Sequence, residues 1–196
     1  SLPTPPVIVT LRGVELELHF PEAITSAILE SGDFYEAAIL DELTSLRPSE
    51  RVILDVGANV GNHSVYWSAF VPHSRLLAWE PVPESFRLLR GNLRRYPFAS
   101  ALPFALTDSP GRLRMTVDPV NTGRSVIDED GLLDVHGHTL DSYGIEDVSL
   151  VKVDVEGYQD AVLRGGRRTL EAWHPALLVE DGEASVEPTL RELGLD

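Results

Sequence analysis

The residues best suited to chemistry are carboxylates that close short apolar runs: Asp55, Glu80, Asp154 and Glu180. The first sits beside a glycine-spaced stretch, "RVILDVGANVGNHSVYWSAF" from Arg51 to Phe70. Val52, Ile53 and Leu54 read as a strand buried on both faces, and the residues after Gly61 carry apolar side chains at helical spacing. A strand therefore passes to a helix through a turn. Gly57 and Gly61 let the backbone turn sharply and approach a ligand, and a helix start presents free N–H groups to an anionic group. Such a turn holds a cofactor. "GANVGN" is not the dinucleotide pattern G-x-G-x-x-G, because Asn59 occupies the place of the second glycine. Glu80 lies about 20 residues on, where a carboxylate accepts hydrogen bonds from both hydroxyls of a ribose. That placement fits nucleosides in general.

These residues need a scaffold that brings strand ends together. From Arg51 onward strand-like and helix-like pieces alternate: "RVILDVG", the helix after Gly61, "RLLAWEP", the helix "PESFRLLRGNLRRY", the strand "ALPFAL", "SLVKVDVEG", a helix through "QDAVLRGGRRTL", the strand "PALLVE" and a last helix "VEPTLREL". This order predicts an α/β fold, a doubly wound, mostly parallel sheet with helices on both faces. Ligands bind such sheets outside the carboxyl ends of the strands, near a switch in strand order. Ahead of it, "VIVTLRGVELELHF" reads as a hairpin turning at Arg12 and Gly13, and "GDFYEAAILDELTSL" as a helix. Residues 1–50 are expected to form a hairpin and lid helix packed on a core of residues 51–196, one domain overall. "GRLRMTV" and "LLDVHGHTL" flank a polar loop, "DPVNTGRSVIDED", too long to be a plain connection.

Charge and composition narrow the partners. Lys plus Arg number 16 against 31 Asp plus Glu, a formal net charge of -15, which argues against nucleic acid as a partner. Arg87, Arg90, Arg94 and Arg95 lie along one predicted helix and read as a solvated face. With no cysteine, disulfides and thiolate chemistry are unavailable. No apolar run approaches a membrane span, and "SLPTPP" is unlike a signal peptide, so a cytoplasmic protein without membrane partners is expected, its first residues partly a cloning remnant. His136 and His138 in "HGH" are expected to face solvent, and no metal site is predicted. Glu180 and Asp181, with Asp154, could also bring several oxygen ligands to one edge for a divalent cation.

The motifs "LDVGANVGNHSVY", "AWEPVPESFRLLRGNL", "ALTDSPGRLRM", "HTLDSY" and "VKVDVEGYQDAVLRGGRRTL", in this order from about Gly32 to Glu180, resemble those of FkbM-type methyltransferases. These are class I enzymes that use S-adenosylmethionine. The resemblance implies a Rossmann-like fold, S-adenosylmethionine as methyl donor, and a hydroxyl acceptor on a small molecule or glycoside. Carried over, Asp55, Gly57, Asn59 and Gly61 line the methionine end of the cofactor, with Asn62, His63 and Ser64 at the helix start. For His63 a capping role stays open. Glu80 takes the ribose. Asp108 accepts from the adenine amino group, with Leu106 and Thr107 beside the ring.

Methyl transfer is an in-line displacement, in which alignment contributes up to about 7–11 kcal/mol and removal of the acceptor proton about 10²–10⁴-fold. Asp154 stands where such a base would, with Glu156 beyond it. Two neighbouring carboxylates raise each other's pKa, which favours one as base at neutral pH. Glu156 also reads as a brace of the turn at Gly157. Asn121 and the stretch Asp33 to Glu36 are candidates for closing over the ligands. One departure concerns the end of the chain: at "LRELGLD" family members usually continue into further strands, so the sheet is expected to finish differently here or the chain to be shortened. Two other functions stay in view, a non-catalytic S-adenosylmethionine-binding protein and a nicotinamide-dependent oxidoreductase.

Overall fold

A computed structural model describes residues 5–46, 50–118, 121–180 and 185–195. The hairpin is built from β1 (Val7–Leu11) and β2 (Val14–Leu18), joined through Arg12 and Gly13, both with positive φ, as a two-residue hairpin turn requires. Its Leu11, Leu16 and Leu18 are buried in one cluster with Ile53 and Leu76 of the main sheet. Next come α1 (Ala23–Ser31) and α2 (Ala37–Leu46). The expected single helix therefore begins five residues late, with Asp33 to Glu36 forming a turn, and α1 is an addition. α1 ends at Gly32, whose φ of 69° suits a left-handed C-cap.

The main sheet alternates strands and helices: β3 (Val52–Val56), α3 (Asn62–Phe70), β4 (Arg75–Trp79), α4 (Pro83–Leu93) and β5 (Ala99–Leu102). After β5 the chain leaves this sheet. Pro103 offers no N–H to continue a ladder, so "ALPFAL" is not one strand. Its second half is β6 (Ala105–Leu106), in a second sheet with β7 (Gly111–Thr116), β8 (Val126–Ile127) and β9 (Leu133–His138), in the order β6-β9-β7-β8. The chain then returns through β10 (Val148–Val153), α5 (Gln159–Gly165), α6 (Arg167–Trp173), β11 (Ala176–Val179) and α7 (Glu187–Glu192). Gly166 divides what reads in sequence as one helix into α5 and α6.

The strands β11-β10-β3-β4-β5 form a five-stranded parallel sheet. Alternation of side chains sends Ile53, Leu76 and Ala78 to one face, against Val65 and Trp67 of α3 and Leu88 and Leu89 of α4. Val52, Leu54, Val56 and Leu77 point to the other, against Val162 and Leu163 of α5 and Leu170 of α6. This is the doubly wound fold expected. The chain moves outward from β3 through β4 to β5, then reappears on the other side of β3 as β10 and β11, so the order switches between β3 and β10. The carboxyl ends of those two strands part there and leave a cleft. Arg87, Arg90, Arg94 and Arg95 are exposed around α4. Among the described residues no helix is long and apolar enough to cross a membrane.

Candidate active site

The cleft at the switch point has a volume of about 490 Å³, within the range of small-molecule sites. Its floor is the end of β4. Glu80 is buried, with each carboxylate oxygen held by one backbone donor: Oε2 accepts from Asn59 N at 2.9 Å and Oε1 from Val82 N at 2.8 Å. Burial pushes its carboxyl up to about 7, against the opposing pull of these two N–H groups. Each oxygen keeps a lone pair for a further donor. Gly57 and Ala58 both donate to the Trp79 carbonyl at 3.0 Å, which fixes the glycine turn against β4. Asn59 adopts a φ of 49°, a left-handed conformation that asparagine tolerates. It thus does the conformational work of the missing glycine.

Lys152 is the hub beneath the turn. Its ammonium, 4% exposed for the residue, lies 2.9 Å from Asp154 Oδ2 and 3.4 Å from Asp55 Oδ1, and donates to the Gly57 carbonyl at 3.1 Å. Burial would lower its pKa, but the two carboxylates outweigh burial and raise it, so it stays charged. Asp154 answers in kind: burial opposes its ionisation, the Lys152 charge wins, and its carboxyl falls to about 2. A carboxylate so stabilised is a weak base. The pairing that raises a pKa is therefore Asp154 with Glu180, in place of Asp154 with Glu156. Glu180, the first residue after β11, hydrogen-bonds Asp154 and is pushed up to about 8, by that bond first and by burial next.

Gly57, Asn59, Asn62, His63, Glu80, Leu106, Asp154 and Glu156 line the cleft. Asn62 clamps the turn before α2, accepting from Tyr35 N and donating to Tyr35 O, each at 3.0 Å. His63 is buried, its Nε2 3.1 Å from Glu36 Oε2. Glu156 stands on the wall, and the next residue, Gly157, adopts a φ of 70°.

Five of the residues expected near the cofactor are not on the cleft wall. Asp55 is fully buried behind the wall, accepting from Ser64 Oγ at 2.5 Å and facing Lys152, so Asp55 and Ser64 support the turn. At Gly61 a Cβ would lie 2.8 Å from Leu89 Cδ1, so that glycine serves helix packing. Thr107 is buried, its carbonyl pressed to Gly165 of α5, where a Cβ would come within 2.0 Å. Asp108 emerges beyond it, exposed and bonded to Ser109, because the strand that carries it belongs to the second sheet. His138 also departs from expectation: it stacks on Phe104 at 4.1 Å and contacts Tyr143 Oη at 2.8 Å, whereas His136 is exposed. Asp181 lies outside the described residues, and among those described no three His, Asp or Glu converge as metal ligands.

The sequence reading missed other parts of the wall. Ala23, Ile24 and Ala27 of α1 line the cleft, as do Phe104, Met115, Thr122, Arg124, Ser125 and Ile127, whereas Tyr35 and Asn121, expected to close over the ligands, also stand on its wall. Thr122 latches α1 to the polar loop: its Oγ1 donates to Glu22 Oε1 at 2.7 Å and its N to the same oxygen at 3.1 Å, and Ser85 Oγ donates to Thr122 Oγ1 at 2.9 Å. Lys152 carried a legible signal, a lysine inside an apolar strand that must be buried on both faces. Two features suit a nucleoside. Glu80 offers a pair of acceptors for a diol, and the Ser125 hydroxyl, 9% exposed for the residue and on the wall, has no hydrogen-bond partner among the described residues.

A family model described as the methyltransferase FkbM domain matches residues 55–192. The chain is 27% identical over 198 residues to methyltransferase sdnD of Sordaria araneosa, covering 76% of this chain and 75% of that one. It is 27% identical over 144 residues to the hexuronic acid methyltransferase AglP of Haloferax volcanii, covering 70% of this chain and 58% of that protein. It is 32% identical over 111 residues to the 31-O-demethyl-FK506 methyltransferase FkbM of Streptomyces tacrolimicus, covering 52% and 42%. A crystal structure of methyltransferase FkbM from Methylobacillus flagellatus matches the fold with a TM-score of 0.57 at 18% identity, over 74% of this chain and 36% of that one. With the doubly wound sheet, the cleft at its switch point and a family match over most of its length, this chain belongs to the FkbM methyltransferase family, whose methyl donor is S-adenosylmethionine.

Proposed function

We propose that the chain transfers a methyl group from S-adenosylmethionine to a hydroxyl of a small molecule or glycoside. The observation that carries this reading is the ordered wall of the cleft. It combines apolar side chains (Pro81, Val82, Phe104 and Leu106), the buried carboxyl of Glu80, and the acidic side chains Asp154, Glu156 and Glu180. Pro81, Val82, Phe104 and Leu106 would hold an adenine ring, Glu80 the ribose hydroxyls, and the turn from Gly57 to Asn59 with Asn62 and His63 the methionine end. When bound, the cofactor supplies a methyl group on a positively charged sulfur.

The chain's own contribution is mainly positioning. Glu80 is pre-set by two backbone donors and Asp154 by a buried ammonium, so neither reorganises on binding. Groups fixed in this way supply most of the alignment, which is worth up to about 7–11 kcal/mol, against about 10²–10⁴-fold for proton removal. Asp154, permanently ionised, accepts a hydrogen bond from the acceptor hydroxyl and orients its lone pair. α1, Tyr35 and the loop from Asn121 to Ser125 cover the ligands and exclude water. The carboxyl groups of Asp154, Glu156 and Glu180 make this edge acidic, with Lys152 answering Asp154 from below, so an acceptor that is neutral where it meets the edge fits best.

Calorimetry with S-adenosylhomocysteine and with a nicotinamide dinucleotide, followed by transfer of labelled methyl to a panel of neutral glycosides, glucuronides and simple alcohols, tests the reading. It expects binding of the first ligand alone and methylation of at least one hydroxyl compound. Dinucleotide binding without S-adenosylhomocysteine binding would overturn it.

A further inference from the structure

The acidic edge holds two carboxylates in different electrostatic states. In the parallel ladder Val153 pairs with Val179, so the next pair in register is Asp154 beside Glu180. The backbone fixes them there: Glu180 N donates to Val153 O at 3.0 Å, Asp154 N to Val56 O at 3.0 Å, and Gln159 Nε2 to the Glu180 carbonyl at 3.1 Å. Asp154 is anchored from below by Lys152 at 2.9 Å, and its side chain is one-third exposed. Glu180 lies on the wall of the same cleft, is exposed, and makes no ion pair with a cation among the described residues.

We propose that Glu180 is the group that takes the proton from the acceptor hydroxyl, with Asp154 as the fixed hydrogen-bond acceptor beside it. This rests on the methyltransferase reading above and assigns a catalytic residue within it. In the step, the acceptor O–H proton passes to a Glu180 carboxylate oxygen, and an oxygen lone pair of the acceptor forms the bond to the methyl carbon. The carbon–sulfur bond breaks with its electron pair remaining on sulfur, which becomes neutral. The proton leaves Glu180 for solvent at the mouth of the cleft, so the residue is ready for another turnover.

Two physical points favour Glu180 over Asp154. A base works best when its pKa lies near the working pH, and the two carboxylates are pushed apart, Asp154 down and Glu180 up. A proton must also have a way out, and Glu180 is the more exposed of the two. The charged and titratable groups facing Glu180 are Asp154 and Lys152 from β10 and its end, Glu156 from the following turn, and Tyr35 from the turn before α2. All but Lys152 disfavour its negative charge.

The test compares wild type with Glu180→Gln, which keeps shape and backbone contacts. One arm follows the side-chain carboxyl carbons of ¹³C-glutamate-labelled protein bound to S-adenosylhomocysteine across pH, with Glu180 identified by the resonance lost in the variant. The other measures single-turnover methyl transfer to methyl α-D-glucopyranoside and methyl β-D-glucuronide. We expect Glu180 to titrate near pH 8, the variant to transfer about 10²–10⁴-fold more slowly, and S-adenosylhomocysteine affinity to stay unchanged. A Glu180 that titrates like an ordinary glutamate in a chain that binds S-adenosylhomocysteine would overturn the assignment, whether or not either glycoside is methylated. So would a variant that transfers at the wild-type rate. Failure of the wild type to bind S-adenosylhomocysteine would instead overturn the reading on which the assignment rests.

Discussion

With Glu80 as the proposed ribose partner, cofactor binding should depend on pH in a direction set by the burial of its carboxyl. In the free chain its carboxyl is raised by burial from the ordinary 4.5 to about 7. A ribose diol needs the ionised form, because a carboxylate can accept from both hydroxyls and a protonated one must donate with one oxygen. Apparent affinity therefore scales with the ionised fraction, about nine-tenths at pH 8 and about one-tenth at pH 6, so binding should weaken roughly tenfold between them. Folding carries the opposite sign. Because the folded chain holds this proton more tightly than the unfolded chain, ionising Glu80 removes stability as pH rises from 4.5 to about 7, by about 3 kcal/mol in all. Glu80→Gln abolishes both dependences. It also turns an amide NH₂ toward one of the two backbone donors, Asn59 N or Val82 N, and weakens the diol contact. The expected loss at pH 8 is about 1.5–3 kcal/mol, roughly 10–150-fold. Titration calorimetry with S-adenosylhomocysteine at pH 6, 7 and 8 on both proteins reads all of this. Equal wild-type affinity at pH 6 and 8, or a folded Gln variant with wild-type affinity and slope, would refute the ribose assignment.

Other perturbations separate support from contact. Gly57→Ala places a Cβ 1.8 Å from the Asp154 carbonyl oxygen at a φ of +75°. It should cost at least about 1–3 kcal/mol for the collision and about 1–2 kcal/mol for the backbone, seen as a lower midpoint in urea. Lys152→Met leaves Asp55 and Asp154 without their ammonium and should destabilise by about 3–5 kcal/mol, with part regained by adding Asp55→Asn; unchanged stability of the single variant would contradict the hub. Thr122→Val cuts the hydroxyl links to Glu22 and Ser85 and should raise KM more than it lowers kcat, at a cost of about 1 kcal/mol; a fall in kcat alone would argue against a latch.

Much of the cleft was legible because it follows from strand ends. The runs before Asp55, Glu80, Asp154 and Glu180 are short and apolar, and a parallel sheet brings such ends to one edge whatever lies between them. What the sequence hid was the direction of each side chain. Asp55 and Lys152 sit in register on neighbouring strands, which only pairing reveals, and the buried ion pair holds Asp55 behind the cleft wall. Asp108 does not line the cleft, because Pro103 diverts the chain into a second sheet and the strand that reads as continuous ends there. α1 escaped notice because "AITSAILES" mixes small polar and apolar residues without a charged face, although its end at Gly32 was readable. Glu180 reads in sequence as a cation ligand, and its place beside Asp154 shows only once β10 and β11 are laid in register.

A crystal structure of the chain with S-adenosylhomocysteine tests the functional reading most directly. The ribose hydroxyls should lie within hydrogen-bond distance of both Glu80 oxygens, the adenine against Phe104 and Leu106, and the sulfur toward Asp154 and Glu180. A nucleoside bound with its ribose away from Glu80, or with its sulfur turned from the acidic edge, would contradict it.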